Sequence, residues 1–247
     1  MIPVTVISLQ KSADRRAALC PRLDGMGIRH RIFDALDGTT IVPPAGCYYR
    51  PLLPGEVGCA ASHLAVLRQI ADGDSAFACI LEDDVVPSDG LPALLDPATL
   101  RALPRFDVLR LGANIRPGPR CGHRVAQMAA TNLYAMLRPW DACFAQIYSR
   151  DGARRIVVRV QRIEMPLDAI LYEETRIIGL RILEARPRVV GYSGFDSLIG
   201  DRSLARPRSF ARRIVHRTER ELRAGVSYLR AWGIRGVLHL RIVRVQS

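Results

Sequence analysis

Pro3-Val-Thr-Val-Ile-Ser-Leu9 is the stretch that decides how this chain is built. Its β-branched residues pack well on a pleated surface, so the run predicts a buried strand. Ser12 or Asp14 is placed to cap a helix running through Arg15, Leu19 and Leu23 to a stop at Gly25 and Gly27. A second strand follows from about His30 to Ala35 and ends at the turn pair Asp37-Gly38. Strand, helix and strand in that order open a parallel sheet covered by helices.

The pattern continues downstream. A loop containing Pro43, Pro44, Gly46, Pro51, Pro54 and Gly55 leads into a helix from Glu56 to Ala71, where Val57, Ala60, Leu64, Leu67 and Ile70 recur at helical spacing. Ala76-Phe-Ala-Cys-Ile-Leu81 is the next strand, with Glu82-Asp83-Asp84 at its end. Further strands are expected at Phe106 to Leu111, Cys143 to Tyr148 and Ile177 to Leu183, and helices at Arg150 to Val160 and Leu167 to Tyr172. There is no internal repeat. The fold class expected is α/β: a single Rossmann-type domain with a mostly parallel central sheet over residues 1–199, then a basic helical tail over 200–247.

Composition narrows the rest. At 247 residues, 49% hydrophobic and 24% charged, the chain can bury enough surface to offset its ordering entropy, which excludes intrinsic disorder. No apolar run approaches the ~20 residues that span a bilayer, and Met1 to Leu9 reads as a strand and not as a secretion signal. Six single cysteines (Cys20, Cys47, Cys59, Cys79, Cys121, Cys143) lack the spacing of a zinc cluster or a disulfide framework. They read as reduced, mostly buried thiols of a cytoplasmic protein.

The net charge of +12 is unevenly placed. Residues 200–247 carry 12 arginines against Asp201, Glu219 and Glu221, whereas the first 199 residues hold 24 basic and 21 acidic groups. Phe210, Ile214, Thr218 and Leu222, adjoined by Val215, Val226 and Leu229, form one face of a tail helix, and Arg212, Arg213, Arg217, Arg220 and Arg223 fill much of the rest. Such a helix docks on its own domain, binds a partner or lies on an anionic membrane.

Glu82-Asp83-Asp84 is the strongest local signal. Three consecutive acids after a buried strand repel one another, so they either face open solvent or are neutralised by a cation. In an extended segment Glu82 and Asp84 share a face, opposite Asp83, and such hard oxygen ligands suit Mg²⁺ or Mn²⁺. Gly55-Glu-Val-Gly-Cys-Ala-Ala-Ser-His63 is the second signal: two glycines at a helix entrance, where free N–H groups favour an anion, with Ser62 and His63 one turn inside. On its own, a histidine such as His63 is more often a hydrogen-bonded structural residue than a catalytic one.

In order along the chain, Val6-Ile-Ser-Leu9 with Asp14-Arg15-Arg16, Phe33-Asp-Ala-Leu-Asp-Gly38, Gly55 to His63, Ile80-Leu-Glu-Asp-Asp-Val85, Ile147 to Ala153, Pro166-Leu-Asp168, and Arg186 to Val190 with Ser197-Leu-Ile199 resemble glycosyltransferase family 25, the lipopolysaccharide and lipooligosaccharide glycosyltransferases related to collagen galactosyltransferases. The resemblance covers about residues 4–199. One stretch departs from it: Gly191-Tyr-Ser-Gly-Phe-Asp196 has a single acid where family members often carry an acidic or Gln-rich segment.

The resemblance implies a GT-A-like, inverting, metal-dependent transferase that moves a hexose, galactose above all, from a UDP-sugar to a glycolipid or oligosaccharide acceptor. Glu82 and Asp84 would hold the divalent cation against the donor diphosphate, stabilising the charge of the leaving group. Ser8, Arg15, Asp34, Glu56 and Asp83 would contact the donor nucleotide, with Arg16 an alternative to Arg15. Inversion needs a carboxylate base on the acceptor hydroxyl. Asp168 is the residue expected there, with plain N-capping as its structural counterpart and Glu164, Asp151 and His63 as rivals. A glycolipid acceptor implies work at the cytoplasmic face of the inner membrane, to which residues 207–247 would attach the protein peripherally. The rival classes are a nucleotidyl- or phosphoryl-transferase, disfavoured by the lack of a GxxxxGK[ST] loop, and a basic nucleic-acid-binding protein, disfavoured by the confinement of charge to the tail.

Overall fold

The computed structural model describes residues 1–43, 51–112, 120–128, 131–139, 142–173, 177–195, 198–200 and 210–243, the side chains of 173 and 210–217 excepted. Pro44, Gly46, Cys47, Asp196, Ser197 and the tail residues 201–209 lie outside the described residues.

The chain begins with β1 (Val4–Ser8), α1 (Ala13–Gly25), β2 (Arg31–Asp34), a 3-10 turn (Gly38–Thr40), α2 (Pro54–Asp72) and β3 (Phe77–Glu82). It continues through β4 (Val85–Pro87), α3 (Leu91–Leu94), α4 (Pro97–Ala102), β5 (Val108–Arg110), β6 (Arg120–Met128), β7 (Thr131–Met136), β8 (Ala145–Ser149) and α5 (Arg150–Arg159). A π-turn (Ala169–Glu173), β9 (Ile182–Arg186), β10 (Val190–Tyr192), α6 (Phe210–Leu238) and β11 (Arg241–Val243) complete it. Among the described residues nine strands form one sheet, in the order β11-β6-β7-β9-β5-β8-β3-β1-β2.

The α/β class and the β-α-β opening are as expected, and strand alternation explains the layers. Val4, Val6, Cys79 and Leu81 pack on one face with Leu19 and Leu23 of α1, while Ile7, Ala78 and Ile80 pack on the other with Leu64 and Leu67 of α2. With both faces covered, β1 is buried along its whole length. Parallel pairing is less extensive than expected. It joins β1 to β2 and β3, and β5 to β9, whereas the other five joins in the sheet are antiparallel. Two features cause this: β8 inserts antiparallel between β3 and β5, and β6 with β7 makes a hairpin that no apolar alternation announces.

The C-terminal segment is built into this domain. Ala224, Ser227, Tyr228 and Ala231 of α6 are buried, and Tyr228 joins the core on the α1 side of the sheet. The Tyr228 hydroxyl bonds to Nδ1 of His123 on β6, the Ser227 hydroxyl accepts from the Gly179 N–H at 2.9 Å, and β11 pairs with β6. The helix docks through a different face from the aliphatic one: Leu222, Val226 and Leu229 are exposed. Small residues and one hydrogen-bonding aromatic let the helix approach closely, and those packing terms outweigh the bulk of the aliphatic stripe. The thiols also divide, with Cys79 and Cys143 buried, Cys20 and Cys59 half-buried and Cys121 exposed, so fewer of the described ones are buried than expected.

Gly55 and Gly58 have a packing role that the sequence reading did not assign. A Cβ on Gly58 would lie 2.6 Å from the Leu36 carbonyl oxygen, and one on Gly55 would lie 2.5 Å from the Ile199 Cα. Alanine inside a helix ordinarily gains ~1 kcal/mol over glycine. At Gly58 the obstacle is backbone, which cannot rotate away, so overpacking at ~1–3 kcal/mol prevails. Gly58→Ala is therefore expected to lower stability in urea unfolding, and a stabilised variant would contradict this packing.

Candidate functional site

The carboxyl ends of β1, β2 and β3 lie side by side, and the segments that leave them wall a cavity of about 980 Å³. Open α/β sheets place ligands at that edge, and this volume accommodates a nucleotide-sized molecule. Ser8, Arg15, Asp34, Glu56, His63, Glu82, Asp83, Asp84 and Asp168 all line it. The structure thus brings together the nine first-choice residues for donor, metal and base, whereas the alternatives Arg16, Glu164 and Asp151 do not line this cavity.

The acidic segment is arranged differently from an extended strand. β3 ends at Glu82 and a turn occupies Asp83-Asp84, so the two-residue alternation stops there. Asp83 and Asp84 both turn to one guanidinium: Arg15 donates to Asp83 Oδ1 and Asp84 Oδ2, each at 3.1 Å. Glu82 parts from them and meets His63 Nε2 at 3.0 Å. The pairing of Glu82 with Asp84 on one face, opposite Asp83, is therefore corrected by the turn.

Arg15 reaches this position because it stands in the first turns of α1, directly after β1, and it is 8% exposed. Ser8, the last residue of β1, donates its hydroxyl to Asp83 Oδ2 at 2.7 Å and accepts from Arg16 Nε at 2.8 Å. Arg16 also pairs with Asp34 at 2.9 Å. Hydrogen bonds from Gln10 and Arg16 hold the Asp34 carboxyl below its ordinary range. Asp84 is pushed up to about 6, first by burial, then by the Glu82 charge, against the opposing pull of Arg15. Its Oδ1 is buried without a hydrogen-bond partner, while the nearby Tyr192 hydroxyl donates to the Phe195 carbonyl oxygen.

The helix signature is explained by local chemistry. Glu56 reaches back to accept from the Leu53 N–H at 3.0 Å, which caps the entrance of α2 with a buried carboxylate. His63 is fully buried in the wall behind Glu82. Cys59, one turn before it, brings its sulfur to 3.8 Å from Glu82 Oε1, and the Cys59, His63 and Glu82 donor atoms lie within 4.8 Å of one another. The i, i+4 spacing of Cys59 and His63 was visible in the sequence; its convergence on Glu82 was not.

Asp168 lies across the cavity and accepts from the Ala169 N–H at 2.9 Å and the Ala142 N–H at 3.3 Å. Ala142 has a φ of 85°. Its carbonyl accepts from Arg110 at 3.1 Å and Gln146 at 3.3 Å, so a buried polar layer fixes the backbone that orients Asp168. Cys143 is nearby, its thiol raised by burial and further by the Asp168 charge. Two rivals of Asp168 sit elsewhere: Glu164 is exposed outside the cavity, and Asp151 pairs with Arg105 at another surface depression. Tyr192, missed from sequence, enters because β10 pairs with β4 and sets Tyr192 opposite Val85.

Fold and site together define an α/β domain with a cavity and buried acids at the carboxyl edge of its parallel strands. Residues 1–116 match the model of glycosyltransferase family 25 (LPS biosynthesis protein), and over that range the family resemblance is borne out. The match takes in Ser8 through Asp84 and ends before Asp168. The chain is also 34% identical over 127 residues to the "Probable inactive glycosyltransferase 25 family member 3" of Rattus norvegicus, covering 44% of this chain and 22% of that protein. It thus spans about a fifth of that relative's length. A solved glycosyltransferase involved in glycosylation of the major capsid of PBCV-1 overlaps 74% of this chain and 81% of its own at 9% identity, with a TM-score of 0.38.

The raised Asp84 carboxyl gives a pH signature with a definite sign. Its native pKa, about 6, lies above the 3.8 of an unperturbed aspartate, so the native state holds the proton more tightly between those values. Its contribution to stability falls as pH rises from about 4 to about 6, by at most ~3 kcal/mol at 1.36 kcal/mol per unit. Asp84→Asn should therefore gain stability relative to the unaltered protein across that window and hold a constant difference above it. Urea unfolding at pH 4.5 and 7.5 measures this, and an equal difference at both would refute the buried charge.

Proposed function

We propose that this protein is an inverting hexosyltransferase, moving a hexose, galactose above all, from a UDP-sugar to a lipooligosaccharide- or lipopolysaccharide-type acceptor. One observation carries the reading: the residues of the family-matched segment and Asp168, from beyond it, meet around a single nucleotide-sized cavity. Ser8, Arg15, Asp34, Glu56 and Asp83 form its donor side. Arg15 offers planar paired donors to phosphate oxygens, though it first has to be shared with Asp83 and Asp84.

A divalent ion, Mn²⁺ or Mg²⁺, fits the same corner. The donors are hard carboxylate oxygens, and Asp84 Oδ1 is a buried acceptor with the Tyr192 hydroxyl close to its carboxyl group. Although they do not share a strand face, Glu82 and Asp84 both line this corner, close enough for the Glu82 charge to raise the Asp84 carboxyl, and would hold the ion, which supplies charge stabilisation to the departing diphosphate. His63, fully buried, acts on this chemistry by orienting Glu82. Asp168 is the proposed base that takes the proton of the acceptor hydroxyl; its two N–H donors fix its direction before substrate arrives. The acceptor is a glycolipid at the cytoplasmic membrane face, and the basic C-terminal segment attaches the protein there. No helix among the described residues is long and apolar enough to cross a membrane.

A second reading is favoured by the Arg15 position. With its guanidinium between Asp83 and Asp84, the chain already supplies a cation to its acidic segment, which suits a protein that binds a nucleotide sugar without transferring it.

UDP release from UDP-galactose, UDP-glucose and UDP-N-acetylhexosamines, with and without Mn²⁺, separates the two. Transfer predicts metal-dependent release from one donor, abolished in Asp84→Ala. Asp168→Asn is expected to lower turnover by ~10²–10⁴-fold while UDP binding is retained. UDP binding without release would establish the second reading, and neither binding nor release would end both.

A further inference from the structure

Fifteen large apolar residues are exposed among the described residues, and seven of them fall within residues 222–242. That density is unlike the scattered exposure of an ordinary surface. Leu222, Val226 and Leu229 are spaced four and three apart, with Gly233 four further on, so they share one face of α6. Ala224, Ser227, Tyr228 and Ala231 occupy the opposite face and are buried against the domain. The aliphatic stripe is thus directed away from the sheet by the docking itself.

The helix breaks at Gly233, where φ is 67° and ψ is −175°, a conformation that a side chain would strain. Beyond the break Ile234, Val237 and Leu238 are exposed, Ile234 and Leu238 at 71% and 69%. Ile242 on β11 is exposed as well. Exposed Arg230 flanks the stripe one position after Leu229, and exposed Arg235 and Arg241 accompany the later residues. Of the two acids in α6, Glu221 is paired with Arg138. Aliphatic residues rimmed by arginine, on a helix held by its other face, match the interface of an anionic bilayer, apolar beneath a negative surface.

We infer that the exposed stripe Leu222, Val226 and Leu229, continued by Ile234, Val237 and Leu238, seats the folded domain on anionic phospholipid. This deepens the membrane part of the proposed function and is independent of the transfer chemistry. Removing residues 207–247 does not test it, because that would also strip β11 from β6 and Tyr228 from the core. Two substitutions on the exposed face do. Full-length protein is expected to float with phosphatidylcholine vesicles containing phosphatidylglycerol at least ~10-fold better than with phosphatidylcholine alone, and less well as salt rises. L222D combined with V226D should abolish flotation with an unchanged melting temperature and unchanged UDP-donor hydrolysis in the absence of vesicles. Equal flotation of the double variant, or no preference for anionic vesicles, would overturn the inference. So would concentration-dependent dimerisation abolished by the same substitutions, which would assign the stripe to a second copy of the chain. Flotation without any UDP release would leave the inference standing and remove only the transferase reading.

Discussion

The ion pair between Arg15 and the paired carboxylates of Asp83 and Asp84 is the interaction on which the acidic edge of the cavity depends. An acidic run at the end of a fully buried strand is tolerable only beside a compensating charge, and the fold supplies it from the neighbouring strand's exit. β1 lies parallel to β3, so the helix that follows β1 begins where β3 ends. Arg15 therefore stands over the acids as a consequence of topology. Ser8 tightens the arrangement from below, and Arg16 extends it to Asp34 on β2. Removing one member of such a buried set leaves an uncompensated charge, costing several times what an exposed pair is worth.

The opposite wall is set by a different device. Asp168 owes its orientation to the Ala142 backbone, and Ala142 to Arg110 and Gln146, neither of which lines the cavity. Arg110 is fully buried, paired with Glu184 at 2.8 Å and stacked 4.2 Å from the Tyr172 ring centre. A buried arginine held by Glu184, the Ala142 carbonyl and the Tyr172 ring is a rigid support. The cavity thus has one wall positioned by charge compensation and one by a polar layer within the core.

Much of the architecture was legible because it is local. The β-branched run at Val4, the apolar periodicity from Val57 to Ile70 and the strand before Glu82 each state their own conformation. What escaped notice depends on distant partners. β6 and β7 carry His123, Arg124, Gln127 and Asn132 and pair without a clear apolar face, so their sequence resembles a loop. β4 and β10 are three residues each and pair across about a hundred positions, which is why Tyr192 was not placed beside Asp84. The nine candidate residues were legible from the ordered motifs. Their partners were not, because a turn at Asp83 overrides the alternation that a strand would impose. In the tail, the count of large aliphatics left docking and membrane contact open, and the side that docks carries Ala224, Ser227, Tyr228 and Ala231, which that count does not register.

The strand order also determines how the molecule tolerates change. β11 and β3 are six steps apart in the sheet, and at about 4.8 Å per step that is ~29 Å. Free-energy effects of substitutions at such range add almost independently. The outer surface of the C-terminal segment can therefore diverge freely while the acidic corner stays fixed, giving one scaffold two separately variable ends.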